Sequence, residues 1–125
     1  MMGEYRDIYV KKCFDGEVVA ASGDATSVIY DLGSLSTTGY FSLQVALTGD
    51  GTATIEYELS NDNVNFMVPT GSSEIITGLV KTTGPGSDGQ NIYDFGPILS
   101  RFMRIKLSET GTSDSITLTA FLAIS

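Results

Sequence analysis

Histidine and tryptophan are absent from this 125-residue chain, and cysteine occurs once. Without histidine there is no Ser-His-Asp or Cys-His catalytic set and no histidine metal cluster, the kind that histidine-lined jelly rolls use. A lone Cys13 forms no disulfide within the chain and no Cys/His zinc site, so stability has to come from packing. Lacking tryptophan, a sugar-stacking site would rest on the six tyrosines alone. Basic residues are scarce as well: 7 Lys and Arg stand against 15 Asp and Glu, a net charge of −8. That balance opposes contact with phosphate backbones and argues against nucleic acid as a partner. No apolar run approaches the ~20 residues of a membrane helix, and Glu4, Arg6 and Asp7 occupy the place where a signal peptide would be apolar. The expectation is a single domain over residues 1–125, made in a cytoplasm, with no membrane partner, cofactor or metal and no enzymatic role.

What the chain has is alternation. Met103, Ile105 and Leu107 share one face of an extended segment, and Ile116, Leu118, Ala120, Leu122 and Ile124 share one face of the next. A period of two means strands, and the polar residues 108–114 between them suggest an antiparallel hairpin. A second unit is equally regular. Phe41, Leu43, Val45 and Leu47 precede Gly49-Asp50-Gly51, and Ala53, Ile55, Tyr57 and Leu59 follow it. Counting outward from that turn pairs Leu47 with Ala53 and Val45 with Ile55, and on the reverse face Gln44 with Glu56, which predicts another hairpin.

Elsewhere the elements are shorter. Residues 7–14 read as an edge strand guarded by Lys11 and Lys12, or as an N-terminal arm. Asp15-Gly16 marks a turn, residues 17–21 a short strand, and residues 26–32 another, with Val28, Tyr30 and Leu32 on one side. Residues 60–65 carry Asx-turn chemistry, 66–68 and 74–81 are further short strands, 82–90 a mobile surface loop and 92–95 a strand. No segment holds a helical period. The sum is all-β: eight or nine short strands in an antiparallel β-sandwich, jelly-roll-like, with an immunoglobulin-like order as the rival.

Candidate chemistry is thin. Glu56 and Glu58 alternate with core residues, ~7 Å apart on a solvated strand face, and make no glycosidase pair. Asn61, Asp62, Asn63 and Asn65 offer oxygen ligands to calcium but lack the pattern of an EF-hand loop, so they read as a self-bonded turn, and Glu109 and Asp114 are discounted as ligands in the same way. Phe102 and Phe121 are more telling. Parity sets both opposite the core face, and a hairpin pairing Leu107 with Ile116 would place the rings across from each other. Such rings need a cover, either from within the chain or from a subunit interface.

The run from Ile55-Glu56-Tyr57-Glu58 through Leu59-Ser60-Asn61-Asp62-Asn63-Val64-Asn65-Phe66, followed by Pro97, by Arg101-Phe102-Met103-Arg104-Ile105-Lys106 and by a Thr-rich closing strand, resembles small structural proteins of tailed bacteriophages and prophages. The resemblance implies a compact sandwich serving as a virion component without catalysis: a capsid decoration protein, a head-fibre base or a tail-associated subunit. On this reading Phe102, Phe121, Arg104 and Tyr40 are interface residues, and the partners are other virion subunits and the chain itself, as a homo-oligomer with a trimer expected. The alternative is a carbohydrate-binding module presenting Tyr40 or Tyr93 near residues 82–90 to surface glycans.

Overall fold

Alternating apolar residues can be buried only if every strand turns the same parity inward, and the chain satisfies this in two opposed layers. The computed structural model describes residues 8–35, 37, 39–71 and 74–125. Among these, the strands are β1 (Tyr9–Val19), β2 (Asp24–Thr26), β3 (Tyr30–Asp31), β4 (Phe41–Thr48), β5 (Ala53–Ser60), β6 (Glu74–Leu79), β7 (Gln90–Phe95), β8 (Phe102–Glu109) and β9 (Ile116–Ile124), with one 3-10 turn at Leu32–Ser34. Sheet I has the order β1-β9-β4-β7 and sheet II the order β2-β8-β5-β6, with β3 also paired to β8. Because β2 and β3 follow one another along β8, they occupy one lane. The order is then first-eighth-third-sixth over second-seventh-fourth-fifth, which is a jelly roll and excludes the immunoglobulin-like order.

Both hairpins expected from the sequence are corrected by this topology. β4 pairs with β9 and β7, setting Leu43 opposite Leu122 and Tyr93, whereas β5 pairs with β8, setting Ile55 opposite Leu107 and Leu59 opposite Met103. β8 and β9 likewise lie in different sheets, so Phe102 and Phe121 are not across from each other. The physical reason is that an in-plane hairpin and an arch between sheets impose the same parity on the strands they join. Burial decides between them. Arching puts β4 and β9 in the middle of one sheet and β5 and β8 in the middle of the other, where their apolar faces close on one another. The two arches then pack together: Gly51 N–H donates to the Ser115 carbonyl at 3.2 Å and Thr110 N–H to that of Thr52 at 2.8 Å. At Gly49 (φ +98°) a Cβ would fall 2.7 Å from the Ser115 carbonyl oxygen.

Shorter elements also differ from expectation. Residues 9–14 form the expected edge strand, but Asp15-Gly16 bulges it instead of ending it, and β1 runs on to Val19. Gly16 takes φ +61° and donates its N–H to Thr119 Oγ1 at 3.0 Å. The rival reading as an N-terminal arm does not hold for residues 9–14, which are paired to β9, and residues 1–7 lie outside the described residues. The strand expected over 26–32 is split, leaving Val28 exposed while Tyr30 and Leu32 are buried. Residues 66–68 contribute a single bridge, Leu59 to Met67. Of residues 82–90, 82–89 fold as turns closed by Gly89 N–H to the Thr83 carbonyl at 2.8 Å, and Gln90 opens β7. The core between the sheets includes Leu43, Leu47, Ile55, Leu79, Met103, Ile105, Leu107, Ile116, Leu118 and Leu122, all buried. Phe95 links the layers, its ring 5.5 Å from Phe41 and 5.5 Å from Tyr57.

Candidate functional site

The four residues expected at an interface fall on three surfaces. Phe102 and Arg104 stand on the outer face of sheet II, Phe121 on the outer face of sheet I, and Tyr40 at the end of the sandwich before β4. Both phenylalanine rings are half-buried and carry a cation of their own chain, Arg101 at 5.1 Å from the Phe102 centroid and Lys12 at 5.4 Å from that of Phe121. Arg104 is turned inward along its sheet. Its Nε donates to Glu58 Oε1 at 2.6 Å, and Phe66 from the loop after β5 lies 4.4 Å from its guanidinium carbon. Glu58 is therefore buried beneath this cover, which corrects the solvated face expected for it.

Register shows a contrast between the two outer faces that no single residue reveals. Across sheet I the outward rows are Val10, Ala123, Ser42, Asp94, then Lys12, Phe121, Gln44, Ile92, with Thr119, Ala46 and Gln90 beyond them. Charge on these rows is confined to Lys12 on edge strand β1 and Asp94 on edge strand β7, with Asp15 of the β1 bulge 3.5 Å from the Lys12 ammonium. Across sheet II the corresponding rows carry Asp24, Lys106, Arg104, Glu56, Glu58 and Glu74. In a chain of net charge −8, one broad face thus carries little charge among the described residues.

A third surface lies at the end of the sandwich where β4 begins and β7 ends. Ile98 and Leu99 rise there as an exposed ridge, with Leu99 97% accessible, and Tyr40 and Met67 are each 62% accessible. Two clefts flank the ridge. One of about 470 Å³ is floored by Leu32 and Phe41, and one of about 820 Å³ by Leu59 and Met67. Polar contacts tie the base of the ridge together. Asn61 Oδ1 accepts the Arg101 N–H at 2.9 Å, and Asp31 takes Arg101 Nε at 3.3 Å while receiving Gly33 N–H and Ser34 Oγ at 3.0 Å each. Hydrogen bonding from Arg101, ahead of that from Ser34, holds the Asp31 carboxyl below its ordinary range.

Asp62 and Glu109, discounted as ligands, are engaged in local structure. Asp62 accepts the backbone N–H groups of Val64 and Asn65 at 2.9 and 2.8 Å, the Asn65 amide at 2.9 Å and Ser60 Oγ at 2.8 Å, the self-bonded turn expected from the sequence. Those backbone donors, first Asn65 and then Val64, pull its carboxyl far below the usual carboxylate range. Glu109 holds a role that sequence reasoning missed. It is buried and accepts four backbone N–H groups, from Ser22 at 3.0 Å, Thr52 at 2.9 Å, Gly111 at 2.6 Å and Thr112 at 2.8 Å. These donors, Ser22 foremost, lower its pKa to about 2. One signal was available: Glu109 continues the inward parity of Met103, Ile105 and Leu107.

The tyrosines named for glycan binding are not grouped. Tyr93 points inward opposite Leu43 and its hydroxyl accepts from Asn91 Nδ2 at 3.2 Å, while Tyr40 is separated from residues 82–90 by the length of β4.

With the geometry in place, the fold can be set beside known proteins. No protein-family model matches the chain, and no characterised protein matches it in sequence. Solved structures do match. VP2 of infectious bursal disease virus in its subviral particle superposes with a TM-score of 0.56 at 10% identity over 94% of this chain, and in derived T=1 particles with 0.54 at 10% identity over 94%. The chain spans about a third of those VP2 chains, 32% and 31% respectively. The SPBc2 prophage-derived protein YomS aligns over 98% of both chains at 11% identity with a TM-score of 0.48. The VP2 likeness shows the shared sandwich fold.

Proposed function

We propose that this chain is a non-enzymatic structural subunit of a phage or prophage virion, a capsid decoration, head-fibre or tail-associated protein. On this reading it attaches to another virion subunit through the apolar end built around Ile98 and Leu99. The observation that carries the reading is the continuous apolar patch that Ile98 and Leu99 form with the clefts on either side of them. A leucine 97% accessible, beside an exposed isoleucine and between two apolar-floored clefts, gains nothing for the isolated fold and is what a protein contact would bury. Burying one such side chain contributes about 2 kcal/mol. The fold shared with part of a particle-forming VP2 and the absence of histidine support the same reading. The test is sedimentation through a density gradient of particles assembled from a genome encoding this chain. The chain is expected to travel with intact particles. Recovery only in the slow, unassembled fractions, with particles complete without it, would overturn the proposal.

A further inference from the structure

The sparsely charged face of sheet I is independent of that end. Its outward rows place Phe121 near the middle, flanked by Gln44, Ala123, Thr119 and Ser42, with Val10, Val18 and Ile92 exposed by 57%, 65% and 61% toward its edges. For two copies of a chain with charge −8, most approaches bring like charges together, as on the sheet II face, where Asp24, Glu56, Glu58 and Glu74 outnumber Arg104 and Lys106. The sheet I face escapes that repulsion. We infer that two copies of this chain associate back to back through the outer faces of sheet I, about a two-fold axis running parallel to the strands.

Charge placement selects that axis. A two-fold along the strands reverses strand order in the partner, so β1 lies over the partner's β7 and β9 over the partner's β4. The Lys12 row is continuous with Ile92, and Asp94 sits two residues further along β7, about 7 Å away and within reach of a lysine side chain. Lys12, whose exposed 3.5 Å pairing with Asp15 of its own strand contributes little, thereby exchanges that partner for Asp94 of the other copy, twice by symmetry, while Phe121 settles against Gln44. A two-fold perpendicular to the strands, through the same centre, would instead set lysine on lysine and aspartate on aspartate. Aligned packing of two sheets at about −30° accommodates the first arrangement. Four strands at ~4.8 Å spacing and about eight residues of length present roughly 500 Å² per copy, or about 1,000 Å² in total. That is at the low end for a specific interface, so the pair forms with rising concentration instead of permanently.

The test is solution mass by light scattering and sedimentation equilibrium over a wide concentration series. The wild-type chain is expected to pass from 13.3 kDa to twice that mass. Lys12→Glu and Asp94→Lys should each weaken the association at least fivefold, and combining them should restore it. Phe121→Asp should abolish it with the far-ultraviolet spectrum unchanged, and Lys106→Glu on sheet II should leave it intact. A monomer at every concentration, or association indifferent to Phe121→Asp and to the charge exchange, overturns the inference. Neither outcome bears on attachment through Leu99.

Discussion

Glu109 Oε1 accepts the backbone N–H of Ser22 at 3.0 Å, across 87 residues of sequence. The same carboxylate also receives Thr52, Gly111 and Thr112, so one side chain ties the turn after β1 and the two arches at one end of the sandwich. Its pKa, lowered from 4.5 to about 2, makes this tie dependent on pH. The unfolded carboxyl titrates higher than the folded one, so the stabilisation is complete above about pH 4.5 and is lost as pH falls through about 2. Urea unfolding midpoints are expected to drop between pH 5 and pH 2. Glu109→Gln should lower the midpoint at pH 7 more than Glu56→Gln and should flatten the acid slope. An unchanged slope in that variant would show that the acid response arises elsewhere.

Arg104 covers Glu58, and removing the cation strands a buried carboxylate. Arg104→Ala is expected to lose about 2 kcal/mol of unfolding free energy. In a double-mutant cycle with Glu58→Gln, the second substitution should recover part of that loss. Additive losses would mean that the 2.6 Å contact contributes little.

Parity along β9 sets how each position tolerates truncation. Leu118, fully buried, should lose about 3 kcal/mol on substitution by alanine. Thr117, on the outer face, should change by under about 0.5 kcal/mol. Denaturant melts of the two variants measure the contrast directly, and similar losses at both would contradict the two-faced strand.

Cys13 is half-buried on β1, with Sγ donating to the Ala120 carbonyl at 3.5 Å, and desolvation pushes its thiol up to about 11 from 9.0. Two pH units mean about a hundredfold less thiolate at neutral pH than in the unfolded chain. Iodoacetamide labelling followed by intact mass should therefore be about a hundredfold slower in buffer than in urea. Equal rates would show the thiol to be open to solvent.

How much of this was legible in the sequence follows from what alternation encodes. Leu43, Ile55, Ile105 and Leu118 announce their inward facing because a strand has one buried side, and an all-β sandwich follows from many such strands joined by polar turns. Strand partners were illegible. Gly49-Asp50-Gly51 serves an in-plane hairpin and an arch equally well, and only the competition among all strands for the two sheet centres separates them. The sheet I face was readable in part, since Ser42, Gln44, Ala46, Thr117, Thr119, Phe121 and Ala123 carry no charge, but uniting them requires knowing that β4 and β9 are neighbours. The ridge at Ile98 and Leu99 was hidden because two apolar residues after Gly96-Pro97 have no period. Their exposure emerges only once Arg101 is anchored to Asn61 and Asp31.

The most direct test of the assembly reading is a binding titration of purified chain onto particles assembled without it, comparing wild type with Leu99→Asp. Wild type should saturate a fixed number of sites per particle. The variant, folded to the same far-ultraviolet spectrum, should bind at least about tenfold more weakly, since it replaces about 2 kcal/mol of apolar burial with a buried charge. Equal binding by both chains, or no saturable binding by wild type, would contradict the account.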